Sequence, residues 1–105
     1  MLRDHPYGNY TEGVTLVEGM VENTLPTLDD KTFCFAWVDM DLAKPTRYGI
    51  KWLEDRMVKG GIIGFHDYGF HLTPGIKPAV DSTLNWSKYS IVGVNAINTI
   101  FVRRK

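Results

Sequence analysis

At 105 residues the chain is enough for one small domain with one core. Its 44% hydrophobic and 23% charged content is ordinary for a soluble globular protein. Lys+Arg and Asp+Glu balance at 12 each, which removes the polybasic signature of a nucleic-acid binder. No apolar run is long enough to span a bilayer, and no stretch has the pattern of a signal peptide.

In chain order, residues 1–13 are polar and turn-rich and are read as irregular. Residues 14–18 (Val-Thr-Leu-Val-Glu) read as a short β-branched strand ending at Gly19. Residues 22–28 read as a short helix or turn, and Asp29-Asp30-Lys31 as a surface loop. Phe33–Val38 is an apolar run without alternation, which suits a strand covered on both faces. A helix follows, with Pro45 in its first turn and Ile50, Leu53 and Met57 on one face, widened by Tyr48 and Trp52. Gly60-Gly61 is expected to stop that helix, and Ile62 to Phe65 to form the second core strand. After a loop over residues 68–73, Ile76, Val80 and Leu84 mark a helix. It starts close to Ile76 because Pro78 is tolerated only in a first turn. Residues 89–94 and 99–102 read as two strands of an antiparallel hairpin, turning at residues 95–98.

The stretch from Phe33 to Tyr68 organises the rest. Strand, helix, strand is a βαβ unit, so the strands are expected to lie parallel and deliver their last residues to one edge of the sheet. Both strands end in acid: Asp39-Met40-Asp41 after the first, His66-Asp67-Tyr68 after the second. Open α/β sheets bind ligands at that edge. Adjacent strands lie about 4.8 Å apart, so Asp39 and Asp67 can converge on one ion. Two carboxylates without a cation repel, and a hard divalent ion such as Mg²⁺ relieves this.

Other residues keep more than one reading. His66 can be a metal ligand, a general base, or a loop histidine with a local hydrogen bond. Asp39-Met40-Asp41 is also the DxD tripeptide of metal-dependent nucleotide-sugar transferases, although three residues are a weak signal. His71 reads as a surface residue and His5 as uninvolved. Trp37, Trp52 and Trp86 are expected in the core. Cys34, the only cysteine, is expected to be a buried, inert thiol, and no intrachain disulfide can form. Tyr68 either lines a pocket or anchors its loop. There is no glycine-rich phosphate loop, no nucleophile elbow and no zinc pattern.

Taken together and in order, four segments resemble the C-terminal part of class I S-adenosylmethionine-dependent methyltransferases, most closely the macrocin O-methyltransferase (TylF-like) family. They are Gly19-Met20-Val21-Glu22-Asn23-Thr24-Leu25-Pro26, Val38-Asp39-Met40-Asp41-Leu42 with Pro45-Thr46, Gly60 through Gly69, and Pro74 through Asp81. The resemblance implies a partial Rossmann-like, three-layer α/β fold, its parallel strands followed by the antiparallel hairpin. It implies methyl transfer from S-adenosylmethionine to the hydroxyl of a small-molecule acceptor, assisted by Mg²⁺. By position, Asp39, His66 and Asp67 would hold the metal, and His66 and Asp39 would be catalytic. Gly19, Met20, Val21 and Glu22 would border the donor's adenine. Asp41 would be structural. His66 stands where the family usually has an acid.

The family's opening strand, glycine-rich loop and helix have no counterpart before Val14. The sequence therefore reads as a single domain, residues 1–105, equivalent to the C-terminal portion of such an enzyme. A sheet edge left without its neighbours invites pairing with another chain, so a homo-oligomer through that edge is expected, with no nucleic acid or membrane as partner. A non-catalytic assembly half-domain is the alternative. The cysteine usage fits a reducing compartment, and a cytoplasmic location is expected.

Overall fold

Strand β1 (Phe33–Val38) and strand β2 (Met57–Phe65) run parallel, with helix α2 (Ala43–Glu54) carrying the chain back between them. The computed structural model describes residues 13–95 and 98–105. Ahead of β1, the short helix α1 (Val21–Thr24) continues into a 3₁₀ turn, Leu25–Leu28. After β2 come helix α3 (Ile76–Thr83) and the antiparallel strands β3 (Tyr89–Asn95) and β4 (Thr99–Arg104). The sheet order is β1-β2-β4-β3, so β4 pairs antiparallel with β2, and among the described residues β1 is an edge. This is the expected mixed α/β sheet, with the parallel pair and the C-terminal hairpin in place.

The register separates the two faces. Ala36 lies opposite Ile63 and Val38 opposite Phe65, and these continue to Val102 and Ile100 on β4. Side chains alternate along a strand, so this row shares one face. It is the core: Ile63, Phe65 and Val102 are fully buried against Ile50, Trp52 and Leu53 of α2 and Ile76 and Val80 of α3. On the other face, Trp37, Gly64 and Phe101 form a cross-strand row. A Cβ on Gly64 would sit 2.6 Å from Trp37 Cε3, so glycine is what lets the indole lie across the sheet. Phe35 is 54% exposed and Trp37 46%. Among the described residues no helix covers this second face.

Three expectations are corrected, the first two by that open face. Trp37 is not a core residue, β1 is not covered on both faces, and Cys34 is exposed rather than buried. An apolar strand at an edge reads in sequence like a central one, because periodicity reports composition and not neighbours. Trp52 is buried and Trp86 packs against the core, as expected. Residues 14–18 form no strand, and Val14, Leu16 and Val17 are exposed. β-Branched residues make a strand only beside a partner. The reading of residues 1–12, His5 included, and of residues 96 and 97 in the turn between β3 and β4, lies outside the described residues.

Helix α2 ends at Glu54, a turn earlier than Gly60-Gly61 suggested, and Met57 belongs to β2. Arg56 is the reason. Its Nη1 donates to the Trp52 carbonyl (2.8 Å), filling one of the acceptors left open at a helix C-terminus. Its guanidinium lies 4.4 Å from the Trp52 ring centroid, and its carbonyl accepts from the Phe33 amide (2.8 Å), which starts the sheet. Gly60, at φ +81°, instead lies within β2, beside the register irregularity opposite Phe33 and Phe35. Asp29 completes the clamp, accepting from Trp52 Nε1 (2.8 Å) and Arg56 Nη2 (2.9 Å). Asp29→Ala is expected to lower unfolding free energy by about 1–2 kcal/mol, read by urea denaturation, because the indole N–H is left without its acceptor.

Candidate functional site

The parallel ladder runs one residue past β2: the His66 amide donates to the Val38 carbonyl (3.0 Å). That bond holds the two strand ends level, so Asp39 and His66-Asp67 emerge side by side at one sheet edge. The chain then turns sharply on both strands. Asp67 takes φ +63° and Asp41 φ +59°, the left-handed region that aspartate enters more readily than most residues.

One oxygen of Asp39, one of Asp67 and one nitrogen of His66 lie within 4.8 Å of one another. His66 Nδ1 is 3.2 Å from Asp39 Oδ1 and 3.1 Å from Asp67 Oδ2. The distances alone allow a hydrogen bond, but the directions do not. Nδ1 is a buried atom with no aligned partner, so the contact is one of charge rather than a directed bond. Asp67 is 8% exposed, whereas Asp39 is exposed. The indole of Trp37 closes one side, with its centroid 5.8 Å from the imidazole.

The crowding of acids shows in the protonation equilibria. Asp41 is held above the ordinary carboxylate range, first because its protonated form can hydrogen-bond to Asp67 and then by desolvation and the charges of Asp67 and Asp39. His66 is held above its ordinary value, chiefly by contact with Asp67 and further by Asp39, against a smaller opposing effect of desolvation. A raised pKa keeps more of the imidazole protonated at neutral pH, so in the ion-free chain less of His66 is in the unprotonated form than for a free histidine. The donor set suits a divalent cation: two carboxylate oxygens, one imidazole nitrogen, and open solvent beyond.

Asp39, His66 and Asp67 are thus brought together as expected. Asp41 joins them through Asp67, a contact that the left-handed turn creates and strand alternation does not foresee. Gly19, Met20, Val21 and Glu22 lie at the start of α1. Val21 shares a groove of about 440 Å³ with Asp39, Met40 and the β1 side chains Phe35 and Trp37. Met20 and Glu22 face a second cleft with Lys44 and Arg47, and Glu22 Oε2 is a buried oxygen without a partner. His71 is exposed, edge-on to Phe70.

Behind Asp67, Tyr68 anchors the loop. Its hydroxyl donates a short hydrogen bond to Asp81 Oδ1 on α3, and Lys77 Nζ bonds Asp81 Oδ2 at 2.6 Å. Partial burial pushes the Asp81 carboxyl up, but Lys77 and Tyr68 outweigh it and hold it below the usual range. The stability this contributes is therefore present above the ordinary carboxylate value of 3.8 and is lost as pH falls through the depressed one. The melting temperatures of the wild type and Asp81→Asn are expected to differ at pH 7 and to converge in strong acid. Asp81 and Tyr68 are 13 residues apart and carried no joint sequence signal; the Lys77–Asp81 spacing of four did.

A family model described as a methyltransferase domain matches residues 2–68, more than half of the chain and all of Asp39, His66 and Asp67. The chain belongs to this methyltransferase family. Membership replaces the nucleotide-sugar transferase reading of Asp39-Met40-Asp41. Solved O-methyltransferases share the fold. CalS11, a TDP-rhamnose 3'-O-methyltransferase of calicheamicin biosynthesis, superposes with a TM-score of 0.73 at 23% identity, over 90% of this chain and 45% of that one. The O-methyltransferase NovP superposes with a TM-score of 0.71 at 23% identity, over 92% of this chain and 42% of that one. The chain therefore spans less than half the length of these structures. No curated protein sequence matches it. No helix among the described residues is long and apolar enough to cross a membrane.

Proposed function

We propose that this chain carries the metal- and acceptor-facing part of an S-adenosylmethionine-dependent O-methyltransferase acting on a small-molecule hydroxyl. The observation that carries the reading is the convergence of Asp39, His66 and Asp67 at the edge of a parallel strand pair in a methyltransferase-family chain. We assign those three side chains as the holders of a divalent cation, Mg²⁺ in the first instance. When bound, such a cation supplies Lewis-acid polarisation of the acceptor oxygen, lowering its pKa.

The protein's own residues do the rest. The two carboxylates fix where the acceptor hydroxyl can sit; their negative charge alone opposes loss of its proton, and offsetting that charge is what a bound cation would supply. His66 is assigned as a ligand through Nδ1, the ring atom that lies 3.2 Å from Asp39 Oδ1 and 3.1 Å from Asp67 Oδ2; a cation would take the place of the proton on that atom. The Trp37 indole beside the imidazole excludes water from one flank. Gly19 through Glu22 border the methyl donor. The unpartnered Glu22 oxygen is the acceptor that a donor hydroxyl or amino group would satisfy.

Calorimetry with Mg²⁺ and S-adenosylmethionine tests this. A saturable heat for Mg²⁺ that is lost in Asp39→Asn supports the site. A saturable heat for S-adenosylmethionine supports the donor border. The open face bearing Phe35 and Trp37 favours a second reading, a non-catalytic assembly half-domain; no heat from either ligand at high protein concentration would favour it.

A further inference from the structure

Asp67 sits in a conformation that L-residues disfavour, and so does Gly69 two residues on, at φ +82°. Between them Tyr68 is tied to α3. We propose that Tyr68 is a positioning residue: its hydrogen bond to Asp81 holds the 66–69 turn so that the Asp67 carboxylate faces Asp39 and His66. The cation role of that carboxylate rests on the reading above; the latch itself rests on geometry alone.

The chain leaves β2 at Phe65, keeps one further ladder bond at His66, and then has only the Asp67 carbonyl to Phe70 amide bond (3.1 Å) to define the turn. A left-handed aspartate relaxes towards the extended or right-handed regions unless its surroundings over-determine it. Rotation there would swing the carboxylate away from the cluster. Tyr68 prevents it from the next position. Its ring packs against the core, its hydroxyl donates to a carboxylate on a rigid helix, and Lys77 lies 5.1 Å over the ring while bonding the same carboxylate. Hydrogen bonds to an ionised acceptor are the strong ones, which suits a latch. The Asp81 end is set by α3, whose buried Ile76, Ala79 and Val80 fix it against the core.

The test compares Tyr68→Phe, which keeps the ring and removes the hydroxyl, with Tyr89→Phe. Tyr89 donates to the Glu54 carbonyl (3.0 Å) at the α2 end of the molecule and serves as the matched loss of a tyrosine hydrogen bond. Amide exchange at Phe70 is expected to quicken about fivefold to tenfold in Tyr68→Phe and to stay unchanged in Tyr89→Phe. Mn²⁺ affinity, read by the loss of the free-ion EPR signal, is expected to fall by a similar factor in the first variant only. Unchanged Phe70 exchange in Tyr68→Phe, or equal changes in both variants, would overturn the latch. If the wild type binds no Mn²⁺ while Phe70 exchange still responds to Tyr68→Phe, the latch stands and the metal reading fails.

Discussion

Asp39→Asn is expected to abolish divalent-cation binding while leaving the stability of the ion-free fold within about 0.5 kcal/mol of the wild type. The affinity loss should exceed about 100-fold, the upper end of what removing an outer-shell partner of a metal ligand does, because here a ligand itself is neutralised. Stability should change little. In the absence of an ion Asp39 is repelled by Asp41 and Asp67 but attracted by the His66 imidazole, whose Nδ1 is 3.2 Å from Asp39 Oδ1. These opposing effects at a solvent-exposed carboxylate largely offset one another. Thermal melts in excess chelator read the stability, and Mn²⁺ titration reads the binding. A variant that loses both together would make Asp39 a structural residue.

Phe65→Ala is expected to cost about 3–5 kcal/mol, enough to leave much of the chain unfolded, since single domains are held by only about 5–15 kcal/mol. Phe65 is fully buried, pairs with Val38 and Ile100, and contacts the face on which α2 and α3 pack. Phe35→Ala is the contrasting change. At 54% exposure on the open face, Phe35 should contribute within about 0.5 kcal/mol, as surface positions do. Urea denaturation of the two variants reads which face of the sheet is the core. Similar losses would mean that the second face is covered in solution.

The part of the fold that sequence revealed is the part decided locally or by a strong topological rule. Two apolar runs joined by an amphipathic stretch force a parallel pair, because a short link cannot return the chain. That alone brings Asp39 beside His66-Asp67. Pro78 set the start of α3 at Ile76, and the short link set the hairpin. What was hidden depends on neighbours in space. Whether Trp37 and Cys34 are covered depends on what lies outside the strand. Residues 14–18 have strand composition without a strand to pair with. The end of α2 is set by Arg56 reaching Trp52 and Asp29, contacts that composition does not announce, and Gly60-Gly61 drew the boundary too late. Within the site, the left-handed turns at Asp41 and Asp67 were the hidden element. Alternation along an extended strand cannot describe residues that have already left it.

The most direct measurement is anomalous diffraction from crystals of this chain soaked in Mn²⁺. One strong peak is expected in bonding contact with Asp39, His66 Nδ1 and Asp67. Full occupancy elsewhere, or carboxylates turned apart with no peak between them, would contradict it.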